Sequence, residues 1–453
     1  MNSELRKLPS VTTLLSEAAR RGIFAAEPEA LRTRVVRAVL DEARETVQAG
    51  APAPALEALL AAVQQRQTAR DERMSRRVIN ATGIPLHTNL GRAPLPRAIL
   101  EKVVELGVGY CSLELDLATG QRGERGAGVL ALLRAITGAE DALVANNGAA
   151  AVFFALAALA QGREVIVSRG ELVQIGGGFR VPDILAASGA RLVEVGTTNI
   201  TTLADFERAV TPQTAMILRV HRSNFYVGGH TEEARLSDLA SLAHRLGVLL
   251  LHDLGSGGFV RWRGYDAESE PTVQDSLRAG ADLVTFSADK LVGGPQAGII
   301  VGKSAPLKAL AAHPLYRALR AGRLTLVALQ EVLRHYAAGD HRGLTAWTMI
   351  EMSPEEQERR SQALVALLAA IGIPAAIATA DGAVGGGAAP DKTLPTLVVR
   401  LCPADTSSFL ASLRRCEPAV VPRVERDAVL VDLRTVLVDE TEALVGALAS
   451  AWG

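Results

Sequence analysis

Cysteine is nearly missing from this chain. The three present in 453 residues, Cys111, Cys402 and Cys416, are too few and too scattered for a disulfide framework or a zinc cluster, and they fit a reducing compartment. An excess of one charge sign is missing too. With 48 Lys plus Arg against 49 Asp plus Glu, no chain-wide positive field advertises a nucleic acid or an anionic membrane, so any polyanion site has to be local. Long apolar runs are absent as well: the nearest candidate, 363–380, is interrupted by Gly372 and Pro374 and reads as a buried helix followed by a strand. The first twenty residues hold no continuous hydrophobic stretch that could serve as a signal peptide, so the expectation is a cytoplasmic protein with no membrane partner. Aromatics make up only 4%, while 48% of residues are hydrophobic and 21% charged, the composition of a globular protein rich in Ala, Leu, Val and Gly.

Two textures follow one another along the chain. Up to about residue 75, Leu14 and Leu15, then Leu31, Val35, Val36, Val39 and Leu40, then Leu56, Leu59, Leu60 and Val63 recur at helical spacing. Residues 1–77 carry thirteen Lys plus Arg against ten Asp plus Glu, a mild positive excess that suits a packing or oligomerisation domain as well as an RNA-binding one. From residue 78, short apolar runs such as 142–145, 164–167, 192–195, 215–218, 248–251, 283–286 and 298–301 alternate with helical stretches. This predicts an α/β domain with a mainly parallel sheet covered on both faces, whose ligands sit beyond the C-terminal strand ends. The strands at 397–401 and 429–433, and the loop 382–390 before them, suggest a smaller α+β domain. The expected division is a helical domain at 1–75, a catalytic core at 76–335 and the α+β domain at 336–453.

Chemistry is therefore sought in the turns after those strands. In ADLVTFSADKLVGGPQAGIIV, residues 281–301, a lysine, Lys290, stands at the end of a buried strand. Loss of ammonium hydration there favours a neutral amine able to condense with an aldehyde. A solvated lysine snorkelling from a turn is the ordinary alternative. One βαβ unit upstream, Asp253 ends the run Gly247–Leu251 plus His252. A carboxylate there needs a partner, and the ring N–H of pyridoxal phosphate is one; capping of the following glycine turn is the competing reading. Asn147, Gly148 and Ala149 follow the strand at 142–145 and open an apolar helix, which places bare amides where a phosphate binds, and Ser287 adds a hydroxyl. Neither G-x-G-x-x-G at this turn nor a P-loop motif anywhere supports a dinucleotide fold or an NTPase. No metal site is expected.

The segments VINATGIPLHTNLGRAPLP (78–96), NNGAAAV (146–152), VSRGELVQIGGGFRVPDIL (167–185), EVGTTN (194–199), HDLGSG (252–257) and FSADKLVGGPQAGIIVG (286–302) together resemble bacterial selenocysteine synthase, the L-seryl-tRNA(Sec) selenium transferase family. The resemblance runs from about residue 8 to the end, including LPSVTTLL, which is similar to the start of that family's tRNA-binding domain. It implies the fold type I architecture of pyridoxal-phosphate transferases and a homo-oligomer, normally a decamer built as a ring of dimers. The reaction it implies converts seryl-tRNA(Sec) to selenocysteyl-tRNA(Sec) with selenophosphate, by β-elimination of water through an aminoacrylyl-tRNA and addition of selenium. By the same resemblance Lys290 is the Schiff-base lysine, Asp253 the partner of the pyridine nitrogen and Asp289 a catalytic acid. Arg92, Arg317 and Arg320 match the arginines that hold the selenium donor. Spacing adds that Arg317 and Arg320, three apart on an expected helix, would share one face. His221 is a candidate to stack on the cofactor ring, a backbone-bonded core histidine being nearly as good a reading, and Gly176–Gly178 matches a family triglycine. The sequence departs from the pattern at Gly148, where relatives often carry Asn, and at Arg219, where Lys is common. Two other readings stay open: a pyridoxal-phosphate lyase or transferase acting on a free amino acid, and a non-catalytic tRNA-binding scaffold.

Overall fold

The computed structural model describes residues 3–24, 27–71, 73–175, 178–261, 270–388 and 393–453. The chain divides into two compact units, Met1–Arg77 and Val78–Gly453.

The first unit is made of helices whose burial follows the apolar spacing. Ser10 caps the helix Val11–Arg20 by accepting from Thr13 N at 3.1 Å, and Leu14 and Ala18, one turn apart, face inward. The helix Glu29–Gln48 buries Val36, Val39, Leu40, Ala43 and Val47, a single stripe at three- and four-residue steps. After the segment 51–54, whose alternating prolines exclude a continuous helix, Leu56–Asp71 buries Leu59, Leu60 and Val63 against the same core.

The second unit holds two large sheets, beside two short two-stranded pairings, Gln174–Ile175 with Phe179–Arg180 and Ile200–Thr201 with Glu232–Glu233. Its larger sheet has seven strands in the order Asp141–Ala145, Gly298–Gly302, Leu283–Ser287, Leu249–Gly255, Thr214–Val220, Glu164–Ser168 and Arg191–Val195. Only Gly298–Gly302 runs against its two neighbours; the remaining pairings are parallel. The central strands are buried along nearly their whole length, which is why they read as continuous rather than alternating apolar runs. One cluster, with Phe206, Leu239, Phe286 and Trp347, fills one face, and another, with Phe154, Leu156, Leu185 and Met216, fills the other.

The smaller sheet has the order Val78–Ala81, Ala419–Glu425, Ala428–Asp432, Leu394–Leu401 and Ala376–Gly382. Val78–Ala81 pairs in parallel with Ala419–Pro422, so this first strand of the unit joins the small sheet, whereas the sequence reading placed it with the catalytic core. Four residues, Val78, Ile79, Asn80 and Ala81, carry no information about which sheet they will join. Among the described residues no helix is long and apolar enough to cross a membrane.

Candidate active site

The parallel strands of the large sheet bring their C-terminal ends to one edge, and four of those ends carry predicted residues. Strand Leu283–Ser287 leads into Asp289 and Lys290, both buried, at 6% and 5% exposure. Burial pushes the Lys290 ammonium below its ordinary pKa; the positive charge of Arg92 adds to that effect, while Asp253, Asp289 and Glu270 oppose it. The adjoining strand Leu249–Gly255 carries Asp253. Burial pushes this carboxyl up, and the hydrogen bond it accepts from Thr285 Oγ1 at 2.9 Å, followed by the charges of Lys290 and His221, works in the other direction. Thr285 lies opposite Asp253 in the strand register, so a hydroxyl in the middle of the apolar LVTFS run exists to serve that carboxylate.

His221 follows strand Thr214–Val220, and its backbone N–H donates to Asp253 O at 2.9 Å, tying its main chain to that of the aspartate. Behind it, Glu171 is buried, accepts from Val220 N at 2.8 Å and pairs with Arg219 at 2.9 Å. Arg219, the departure noted in the sequence, therefore braces the strand end. Two of the three glycines at 176–178, Gly176 and Gly177, lie outside the described residues.

At the neighbouring turn, Asn147 caps the helix Gly148–Leu159 by accepting from Ala150 N at 2.8 Å, and the amides of Gly148 and Ala149 precede it at the positive helix end. A Cβ on residue 148 would stand 2.3 Å from Ser287 Oγ. Glycine at 148 thus gives the hydroxyl of Ser287 its place beside the helix start, which makes the first departure from the family pattern intelligible.

Arg92 adopts φ 61, a left-handed conformation that a non-glycine residue holds at about 1–3 kcal/mol. Its guanidinium Nη1 lies 2.9 Å from Asp289 Oδ2. The structure changes the expected relation of the other two arginines. Arg317 lies in a short helix, Leu315–Leu319, but Arg320 has left it: its backbone is extended, with φ −65 and ψ 143, and it bridges to Ala145. The two therefore do not share a helix face. Arg320 instead joins a cluster around Glu114, which also receives Arg125 at 2.7 Å and Arg122 at 2.8 Å, with Arg320 Nη1 at 3.5 Å. The hydrogen bond from Arg125 leads the effects that hold Glu114 below the usual carboxylate range.

Three features were not found from the sequence. Glu270 is buried beside His221, in a polar stretch with no periodicity to mark it. Glu114 sits in an irregular segment. The loop after Ala376–Gly382 reaches the site from the smaller sheet: a Cβ on Gly387, whose φ is 92, would lie 2.6 Å from Lys290 Nζ. Only that loop's glycine richness was visible in advance.

The residues present fit pyridoxal phosphate on structural grounds. A buried amine of lowered basicity, a buried carboxyl whose burial is only partly offset by its hydroxyl donor, and a helix start joined by a serine hydroxyl match the aldehyde, ring nitrogen and phosphate of that molecule.

Comparison with known proteins points to a family. The family model for L-seryl-tRNA selenium transferase matches residues 78–437. The L-seryl-tRNA(Sec) selenium transferase of Solidesulfovibrio magneticus is 44% identical, with 100% of this chain and 99% of that protein covered. Its namesake from Geobacter sulfurreducens is 43% identical, with 98% of each covered. Among solved structures, D-glucosaminate-6-phosphate ammonia-lyase superposes with a TM-score of 0.59 over 83% of this chain and 96% of that one, at 20% identity, a likeness of fold. With a full-length match to these relatives and a family model spanning the whole strand-end site, the chain belongs to the L-seryl-tRNA selenium transferase family.

Proposed function

We propose that this chain converts seryl-tRNA(Sec) to selenocysteyl-tRNA(Sec), with pyridoxal phosphate as cofactor and selenophosphate as selenium donor. The observation that carries the reading is the pairing of two buried groups at adjacent strand ends: the depressed amine of Lys290 and the carboxyl of Asp253, each of which feels the other's charge. Membership of the family supports the substrate.

When bound, the cofactor supplies an electron-poor ring that draws negative charge away from Cα of the seryl group, without which its hydroxyl is too poor a leaving group. Lys290 would hold it covalently, Asp253 would keep a proton on its ring nitrogen, and Gly148, Ala149 and Ser287 would hold its phosphate next to the helix start that Asn147 caps. His221 would lie against its ring. With the cofactor in place, the amine of Lys290 would take the Cα proton of the seryl group and later return it, as general base and then acid. Its lowered basicity leaves a larger fraction of the amine neutral near neutral pH, as that role requires. Asp289 serves beside it as the catalytic acid and as the group that orients Arg92. Arg92, Arg317 and Arg320 hold the phosphate of the donor, Arg320 being set in place by Glu114.

The unit Met1–Arg77, with its surplus of basic residues, is the part assigned to the tRNA, and 336–453 is assigned to the α+β domain. A homo-oligomer is supported by an apolar surface that a lone chain would leave in water: Val104, Val108, Tyr110 and Leu117 are 62%, 86%, 104% and 76% exposed. That it is a decamer built as a ring of dimers is what the family resemblance implies. The protein would work in the cytoplasm.

The test is to mix purified protein with pyridoxal phosphate, seryl-tRNA(Sec) and selenophosphate, with free serine as control. Selenocysteyl-tRNA is expected from the first mixture only. Turnover of free serine with inert seryl-tRNA would replace this reading by that of an amino-acid lyase, and failure to take up the cofactor would replace it by that of a scaffold.

A further inference from the structure

Glu270 belongs to none of the motifs that identify the family site, yet it is enclosed by them. Its side chain is 5% exposed. Ser256, fully buried, donates its hydroxyl to Oε1, and Oε2 lies 3.5 Å from Nε2 of His221. That Nε2 is buried and makes no hydrogen bond among the described residues, so the carboxylate is the anion it faces. The surroundings are held from three sides. The backbone of His221 donates to Asp253 O at 2.9 Å, and the carbonyl of Ser256 accepts at 3.1 Å from the amide of Leu291, the residue after Lys290. Ser256 itself follows directly on the strand that carries Asp253. One buried carboxylate is thereby tied to the elements bearing the amine, the aspartate and the imidazole of the site. A buried carboxylate without a task would be a net burden, since its desolvation is repaid only by directed partners.

We propose that Glu270 is a positioning residue of the active site: it fixes the tautomer of His221 with the proton on Nε2 and holds the ring in the orientation that the cofactor meets. A carboxylate beside an imidazole selects the ring nitrogen that carries hydrogen and stops the ring from turning. Ser256 acts one step further out, by fixing the rotamer of Glu270. The inference rests on the pyridoxal-phosphate reading given above.

Glu270→Gln keeps the size and the acceptor for Ser256 but removes the charge and can turn an N–H toward Nε2. In the full-length protein loaded with pyridoxal phosphate, it is expected to bind the cofactor stoichiometrically and to change the visible circular dichroism of the bound ring. Its kcat should fall about ten- to a hundredfold while KM for seryl-tRNA(Sec) stays within about twofold. In a His221→Phe background the same substitution is expected to add less than about twofold, because the group it positions is gone. Ser256→Ala, which leaves the carboxylate in place, is expected to give a smaller change in the same direction and serves if Glu270→Gln does not fold. Dichroism and kcat like those of the wild type in these variants, or a full additional loss in the His221→Phe background, would overturn the inference while leaving the loaded, active wild type and its reading intact. A wild type that takes up no pyridoxal phosphate would overturn both.

Discussion

Nη1 of Arg92 stands 2.9 Å from Oδ2 of Asp289, an ion pair that ties the first turns of the second unit to the residue preceding Lys290. The pair is asymmetric in exposure, with the arginine side chain at 25% and the aspartate at 9%, so the cation faces the cleft and the carboxylate is its anchor. Arg92 also contributes to holding the Lys290 amine below its ordinary basicity, after burial itself. Replacing Arg92 by Met removes a cation and leaves the Asp289 charge uncompensated, and both changes favour the ammonium form of Lys290. The pH midpoint for covalent cofactor attachment, read by borohydride trapping and peptide mass, is therefore expected to move to higher pH. A midpoint unchanged or moved to lower pH would refute the electrostatic coupling.

Glu114 gathers Arg122, Arg125 and Arg320, three cations on one carboxylate. Glu114→Gln removes the anion that orders Arg320 but leaves the arginines themselves. Donor binding is expected to weaken about tenfold, in line with about 1–2 kcal/mol for a charge-assisted hydrogen-bond anchor, while the cofactor stays bound. The ratio of KM for selenophosphate between variant and wild type checks this; a change confined to kcat would argue against the assignment.

How much of this could be read from the sequence depends on whether the information was local. The strand ends bearing Asp253 and Lys290 stood out because a charge following a buried apolar run is unfavourable without a purpose, and the structure puts both groups at neighbouring strand ends. Gly148 was visible as an oddity, and the reason for it, Ser287 Oγ at 2.3 Å from any added Cβ, was not, because it lies on another strand. Arg320 was misplaced because three-residue spacing suggested a helix, whereas a bridge to Ala145 pulls its backbone into the extended region. The sheet that Val78–Ala81 joins could not be read locally for a related reason, since partner choice is set by the distant strand Ala419–Glu425. Glu270 and Glu114 owe their settings to tertiary partners alone.

Gly387 and Gly446 make a contrasting pair. At Gly387, φ is 92 and an added Cβ would lie 2.6 Å from Lys290 Nζ, so Gly387→Ala meets both backbone strain of about 1–3 kcal/mol and a clash with the amine that carries the chemistry. At Gly446, inside the helix Thr441–Trp452, an added Cβ meets nothing within 4 Å. Gly446→Ala is expected to raise the unfolding free energy by about 0.5–1 kcal/mol and leave activity alone. Gly387→Ala is expected to slow cofactor attachment to Lys290 at least tenfold, roughly the 1.4 kcal/mol per decade that such strain implies. Attachment at the wild-type rate would show that the loop moves aside freely.

Residues Met1–Arg77 form a compact unit with their own buried core of Leu14, Leu40, Leu60 and Val63. Val78–Gly453 contains every residue assigned to the cofactor. Deleting residues 1–70 is expected to lower the affinity for seryl-tRNA(Sec) more than about a hundredfold by filter binding, the loss of about 3 kcal/mol or more, while the truncated protein still takes up pyridoxal phosphate. Undiminished tRNA binding would overturn the assignment of this unit.

The acid limb of stability should carry the mark of Asp275. This residue closes a capping box at the start of the helix Val273–Arg278, accepting from Thr272 N at 3.0 Å and from Thr272 Oγ1 at 2.7 Å, and it also receives Arg261 at 2.6 Å. Burial pushes its carboxyl up, but the hydrogen bonds from Arg261 and Thr272 outweigh burial and bring it down to about 2. The folded state thus prefers the carboxylate more strongly than the unfolded chain does, whose ordinary value is 3.8. A depressed acid contributes stability that is complete above the unfolded value and lost as pH falls toward the folded one, here about 2 kcal/mol across the interval from about pH 5 to about pH 2. Asp275→Asn removes that titration together with the ion pair, so at neutral pH the variant is less stable than the wild type, and the gap closes on acidification. Urea unfolding midpoints of both proteins, followed from about pH 6 downward, measure this directly. A gap that stays constant down to the lowest pH at which both proteins fold would mean that Asp275 is not the carboxylate on which acid acts.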